Sequence, residues 1–163
     1  MPRRRSRVRT PSLAQKMIEF SFLDKKYRVD KNDLEMAILL MEDRHPGTPE
    51  INEKQLVVLS KRSYAAIARD TENGKIIGMA VLGTITRLEG KKGFIEDVVI
   101  NENYRGKGYG RKLMEMLIKK AKTLGVLQLQ LTSNPRRVAA NHLYKSMGFK
   151  IHETNCYKMD LQK

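Results

Sequence analysis

Between Tyr104 and Leu113 the chain reads YRGKGYGRKL, with Gly106, Gly108 and Gly110 alternating among the cations Arg105, Lys107, Arg111 and Lys112. An apolar run, FIEDVVI (94–100), precedes this stretch, and a helical pattern follows it. Glycines at a strand-to-helix junction let backbone N–H groups approach an anion, and the helix N-terminus adds partial positive charge. Each interleaved cation can contribute a charge-assisted hydrogen bond to a phosphate oxygen. The chemistry that suits this spacing is retention of a phosphate-bearing ligand; the competing reading is a tight turn with a solvated basic face. Two familiar phosphate loops fail on specific residues. A P-loop needs Gly-Lys-Ser/Thr, but Gly106-Lys107 is followed by Gly108. The dinucleotide fingerprint needs a third glycine where Arg111 stands and an acidic residue after the next strand, where VLQLQL runs into Thr132.

The elements that must hold this loop are legible outward from it. A helix is predicted from about Gly108 to Leu124 by the stripe Leu113, Leu117, Ala121 and Leu124, widened by Met114 and Ile118, with Gly125 placed to end it. VLQLQL alternates as a strand. Asn134-Pro135 opens another helix over Val138 to Ser146, and Gly148 closes it. FKIHETNCYKMDL reads as a final strand or hairpin. Upstream, YAAIARD, KIIGMAVLGTITRL and FIEDVVI form a β meander joined by TENG and EGKKG. Asn73-Gly74 signals a hairpin because both residues accept positive φ at low cost. Nearer the N-terminus, Met17 to Val29 contains strand-like pieces, and a helix begins at Asp33 and stops at HPGTP (45–49). A short helix fits Glu53 to Ser60, capped by Asn52. The order αα, βββ, αβαβ predicts an α/β (α+β) fold with helices on the faces of a sheet.

With 163 residues and 40% hydrophobic content, the chain suits one domain over 17–163, preceded by an arm over 1–16 that lacks apolar periodicity and reads as disordered. The formal charge is +14; Arg3, Arg4, Arg5, Arg7 and Arg9 supply 5 of it, which leaves +9 on the rest. Such a surface attracts polyanions and phosphate-bearing ligands. Weak nucleic-acid contact through the arm is an expectation, although no helix-turn-helix signal or aromatic-studded basic strand marks a dedicated module. The longest uncharged apolar run, Ile76 to Leu82, is too short to span a bilayer, so no membrane partner is expected. No apolar stretch follows the basic N-terminus, which argues against a secretory signal. Cys156 is the single cysteine, which excludes an internal disulfide and points to a reducing, cytoplasmic compartment. It is expected to be buried rather than nucleophilic. His45, His142 and His152 lack metal-ligand spacing, so no metal is expected.

Arg105-Gly106-Lys107-Gly108-Tyr109-Gly110 matches the pattern Q/R-x-x-G-x-G/A, and here the chain resembles the GNAT family of N-acetyltransferases. In that family the loop wraps the pyrophosphate of acetyl-coenzyme A. FIEDVVI stands where the family has its central strand, and AANHLYKSMGF (139–149) resembles the family's A-N-x-L-Y-x-x-x-G-F helix and turn. The resemblance runs from about residue 27 to the C-terminus and implies a mixed, mostly antiparallel central sheet flanked by helices on both faces. It also implies transfer of acetyl from acetyl-coenzyme A, without a metal, to a primary amine by direct attack. The acceptor, a small-molecule or peptide amine, is not identified. IEDVV and YRGKG are similar to the glucosamine-6-phosphate acetyltransferase branch without assigning that substrate. A homodimer is common among such relatives and is an expectation here.

Acetyl transfer makes three demands. The amine must be neutral, which for a lysine-like ammonium of pKa ~10.4 costs roughly 4–5 kcal/mol at pH 7. A carboxylate can take that proton; Glu96 and Asp97, inside an otherwise apolar strand, are the candidates. Alternation puts them on opposite faces, and Glu96 is favoured because family members often carry a strand carboxylate near this point. A paired surface carboxylate is the plainer reading for either one. The oxyanion must be stabilised, and the resemblance implies backbone N–H groups of Val98, Val99 and Ile100 at a bulge. The thiolate must leave, and Tyr144 matches the family's helix tyrosine. Full proton transfer from a phenol to a thiolate is uphill by about 2 kcal/mol, so Tyr144 is expected to act mainly as a hydrogen-bond donor. The implied cofactor-binding set is Arg105, Gly106, Lys107, Gly108, Tyr109, Gly110, Arg111, Asn141 and Tyr144, together with the strand residues Val98, Val99 and Ile100.

Overall fold

The computed structural model describes residues 17–23, 53–159 and 161. The arm over 1–16, the helix from Asp33 and the cap at Asn52 lie outside the described residues. The chain divides into two compact units, Met1–Leu131 and Thr132–Lys163.

The first unit is built on a five-stranded sheet in simple sequence order, β1 (Ile18–Phe22), β2 (Tyr64–Asp70), β3 (Ile76–Arg87), β4 (Gly90–Ile100) and β5 (Val126–Gln130). The first four strands pair antiparallel, and β5 runs parallel to β4. That parallel step requires a crossover, which the helix α2 (Tyr109–Thr123) supplies; α1 (Glu53–Arg62) precedes β2. Near-continuous apolar runs in β2 and β3 follow from burial on both faces. On one face Ala65, Ile67, Met79, Val81 and Val99 form a buried cluster against which Leu23 and Leu59 pack, Leu59 coming from α1. The opposite face carries Phe20, Tyr64, Ala66, Ala68 and Leu82, whose register pairs Phe20 with Ala68 and Tyr64 with Leu82. Here α2 lies: the Tyr109 ring sits 5.9 Å from that of Phe20, and Lys120 Nζ lies 4.7 Å above Tyr64. Its stripe Leu113, Met114, Leu117 and Ala121 is buried as the spacing predicts. Each large aliphatic side chain removed from water there contributes about 1.5–3 kcal/mol.

Two elements differ from the sequence expectation. β4 begins at Gly90, because the hairpin turn is only Leu88-Glu89, with Arg87 opposite Gly90. Gly93, read as part of that turn, lies within the strand; a Cβ there would fall 2.6 Å from Leu129 Cδ2 and 3.1 Å from Leu82 Cδ1. Close packing, not a turn, asks for glycine at that point. The expected C-terminal strand is absent: residues 149–159 have no regular secondary structure. Ile151, Tyr157 and Met159 are exposed, and so is Cys156, against the expectation of burial. Alternation tells which side chains would share a face, whereas a strand also needs a partner edge for its backbone. Among the described residues no helix is long and apolar enough to cross a membrane.

Second in chain order, the unit from Thr132 contains α3 (Val138–Ser146), closed at Gly148, which takes φ 91°. Phe149 N donates to Tyr144 O at 3.1 Å and Gly148 N to Lys145 O at 3.0 Å, which satisfies carbonyls at the helix end.

Candidate active site

Midway along β4 the pairing with β3 slips. Val81 faces Glu96 and Met79 faces Val99, so Asp97 and Val98 together oppose Ala80. This is a β-bulge. Asp97 adopts φ 53°, the one positive φ outside glycine among the described residues. Strict alternation therefore fails at the two carboxylates: Glu96 and Val99 share the α1 side of the sheet, and Asp97 is turned by the bulge instead of simply facing away. Glu96 is exposed and Asp97 half-buried. β5 pairs with β4 only from Lys91 to Phe94, so from Ile95 to Ile100 the β5 side of the strand has no strand partner among the described residues. The opening and the bulge coincide.

Beyond β4 the chain turns into a short 3-10 helix, Glu102–Tyr104, whose start Asn101 caps by accepting from Asn103 N at 3.1 Å. Arg105 Nε donates back to Ile100 O at 3.0 Å. Gly106 and Gly108 then take φ 77° and 80°, and Gly108 is the N-cap of α2, its carbonyl accepting from Lys112 N at 3.1 Å. A Cβ at either glycine would meet no atom within 4 Å, so the left-handed backbone, not crowding, calls for glycine. The amides of Gly106, Lys107, Gly108, Tyr109 and Gly110 find no acceptor among the described residues. No acidic residue occupies the first turn of α2, so its positive end is not neutralised from within. Lys107 and Lys112 ride over the rings of Tyr104 and Phe20 at 5.5 and 5.1 Å. Open space, unclaimed amides and four exposed or ring-supported cations fit a diphosphate.

The loop is also held from the sheet. Tyr104 Oη donates to Asp70 Oδ2 at 2.6 Å, and Asp70, at the end of β2, is fully buried. Sequence reasoning missed this pair, since nothing local links residues 34 positions apart.

In the second unit Asn141 Nδ2 donates to Asn134 O at 2.9 Å and Arg137 O at 3.0 Å. Its amide nitrogen thus secures the loop before α3, while Asn134 Oδ1 accepts from Arg136 N at 2.9 Å. Tyr144 is 5% exposed, with its ring edge-on to Phe149 at 6.2 Å.

Comparison with known proteins bears on the family and the fold. The sequence profile of the acetyltransferase (GNAT) family matches residues 23–149. Over 93 residues the chain is 27% identical to an L-methionine sulfoximine/L-methionine sulfone acetyltransferase of Pseudomonas paraeruginosa, covering 56% of this chain and 54% of that one. Over 83 residues it is 34% identical to a glucosamine 6-phosphate N-acetyltransferase of Trypanosoma brucei brucei, covering 49% of this chain and 54% of the relative. The chain spans about half the length of the curated relatives it matches. A crystal structure of an acetyltransferase from Trypanosoma brucei shares the fold, with a TM-score of 0.71 and 24% identity over 89% of this chain and 100% of that one.

Proposed function

Because the chain belongs to the GNAT family of acetyltransferases, we propose that it is an acetyl-coenzyme A-dependent N-acetyltransferase whose acceptor is a small primary amine bearing a phosphate or carboxylate. The observation that carries the proposal is the glycine loop: five consecutive amides without acceptors among the described residues, at a helix start that holds no acid. Acetyl-coenzyme A, when bound, supplies an acyl group on a thioester. The amides of 106–110 hold its pyrophosphate, and Arg105, Lys107 and Arg111 balance the charge. Asn141, anchored through Nδ2, keeps Oδ1 for the cofactor arm.

Glu96 takes the proton of the incoming ammonium. It is favoured over Asp97 because it is exposed on the stretch of β4 that β5 leaves uncovered, whereas Asp97 shapes the bulge. A backbone N–H in the stretch Val98 to Ile100 donates to the carbonyl oxygen as charge grows there; one such donor is worth about 10²–10³ in rate. Once the amine nitrogen has bonded to the acyl carbon, the C–S bond breaks as the oxyanion collapses, and Tyr144 donates to the departing sulfur. The excess of positive charge disfavours a polycationic acceptor, and the two relatives named above act on amines carrying a carboxylate-type or phosphate group by their names.

Isothermal titration with acetyl-coenzyme A is the first test. Binding in the micromolar range is expected, and no heat at millimolar ligand would overturn the proposal. Release of free thiol is then followed across amino acids, amino-sugar phosphates and spermidine. Turnover is expected with the first two classes, and a preference for spermidine would overturn the acceptor class.

A further inference from the structure

We propose that Asp70 is a positioning residue that, through Tyr104, sets the entry of the diphosphate loop in its ligand-ready conformation; this rests on the function proposed above. Asp70 is the one charged residue that is fully buried among the described residues. A buried carboxylate is weak evidence for stability, since its desolvation cost rivals the gain from its partners. Its placement therefore calls for another account, and its contacts supply one.

On the sheet side Asp70 is fixed by the β2–β3 turn. Its backbone N donates to Lys75 O at 2.9 Å, and its carbonyl accepts from Gly74 N at 2.8 Å. Its Oδ1 accepts from Glu72 N at 3.0 Å, and its Oδ2 from Asn73 Nδ2 at 3.5 Å. The next residue, Thr71, ties the same turn to the residue just before β1 by donating from N and Oγ1 to Met17 O at 3.0 and 2.9 Å. The carboxylate is thus a rigid feature of the hairpin rather than of the loop. On the loop side it accepts from Tyr104 Oη at 2.6 Å, within the range of a charge-assisted O–H···O bond. Tyr104 is the last residue of the 3-10 helix, two positions before Gly106, and its ring carries Lys107. A loop of glycines has little conformational preference of its own. Asp70 and Tyr104 give it a fixed point on the sheet, so that the amides of 106–110 converge before ligand arrives.

The test uses the full chain with three variants, Tyr104→Phe, Asp70→Asn and Asp70→Ala, each titrated with acetyl-coenzyme A and melted thermally. Tyr104→Phe keeps the ring under Lys107 and removes only the hydroxyl; it is expected to weaken binding roughly tenfold, the usual scale of a lost bond to a charged group. Asp70→Asn can still accept from Glu72 N and present its amide to Tyr104 Oη, so binding within about threefold of wild type is expected. Asp70→Ala is expected to lose at least as much as Tyr104→Phe; should it fail to fold, Tyr104→Phe still decides. Where an acceptor supports turnover, the loss is expected in KM for acetyl-coenzyme A, with kcat changing less than about twofold. A lower melting temperature with wild-type affinity in Tyr104→Phe would make the pair merely structural and overturn the proposal. Wild-type protein that binds no acetyl-coenzyme A would overturn the proposed function itself, and the strut with it.

Discussion

At the scale of single residues, the two adjacent carboxylates of β4 show where reading by alternation stops. Glu96 and Asp97 were legible as the polar pair in an apolar strand, but their directions were not. The bulge that sets them depends on Ala80 facing two residues instead of one, a property of the pairing and not of either strand alone. The proposed function gives them separate parts. Asp97 sits at φ 53°, where aspartate is tolerated, glycine is at ease and a β-branched residue is strained. Asp97→Gly is therefore expected to keep both fold and turnover, and Asp97→Val to lose about 1–2 kcal/mol of stability along with the bulge. Glu96→Gln, by contrast, is expected to lower kcat by about 10²–10⁴ while leaving acetyl-coenzyme A affinity alone. Melting temperatures and turnover of the three variants check this; an inactive Asp97→Gly that still binds acetyl-coenzyme A would transfer the base to Asp97. Tyr144→Phe is expected to reduce turnover more than affinity, and equal turnover in that variant would remove its assigned role.

Elements were more legible than residues, for a physical reason. The borders of α2 follow from Gly108 before it and Gly125 after it, and its buried stripe follows from 3.6-residue periodicity, all of which is local information. The start of β4 was misjudged because Gly93 looks like a turn residue and is in fact a packing residue, an identity conferred by Leu129 and Leu82 from other strands. The missing C-terminal strand has the same origin, since pairing is non-local. The loop glycines have a backbone conformation and, on the proposed function, a ligand contact, and the two are separable. Gly106→Ala and Gly108→Ala are each expected to cost about 1–2 kcal/mol for the left-handed backbone and to abolish most acetyl-coenzyme A affinity. Gly125, at φ 68° past the end of α2, is the control. Gly125→Ala carries the same backbone cost without touching the loop, so its melting temperature should fall while its acetyl-coenzyme A affinity stays at the wild-type level. Equal affinity losses at all three positions would mean that the loop glycines act through stability alone.

For the whole molecule, the question is what a charge of +14 is for. The proposed diphosphate and anionic acceptor would require positive charge only near the site, where the loop has four cations. The five arginines before residue 10 lie apart from that loop in sequence, so their contribution can be isolated. If they neutralise phosphates of a nucleic acid, removing residues 1–12 should flatten the dependence of log K on log salt by up to about 3.5 for a single strand, at roughly 0.7 per neutralised phosphate. Acetyl-coenzyme A affinity should be unchanged in the same deletion, because the proposed function gives that ligand to the amides of 106–110 and not to the net field. Filter binding of a single-stranded RNA between low and physiological salt, set beside titration of acetyl-coenzyme A, measures both quantities on the same two proteins. An unchanged RNA slope would leave the arm without a nucleic-acid role, and a fall in acetyl-coenzyme A affinity would mean that the arm contributes charge to the cleft itself. The two outcomes separate a tether for polyanions from a part of the enzyme, a distinction that composition alone could pose but not decide.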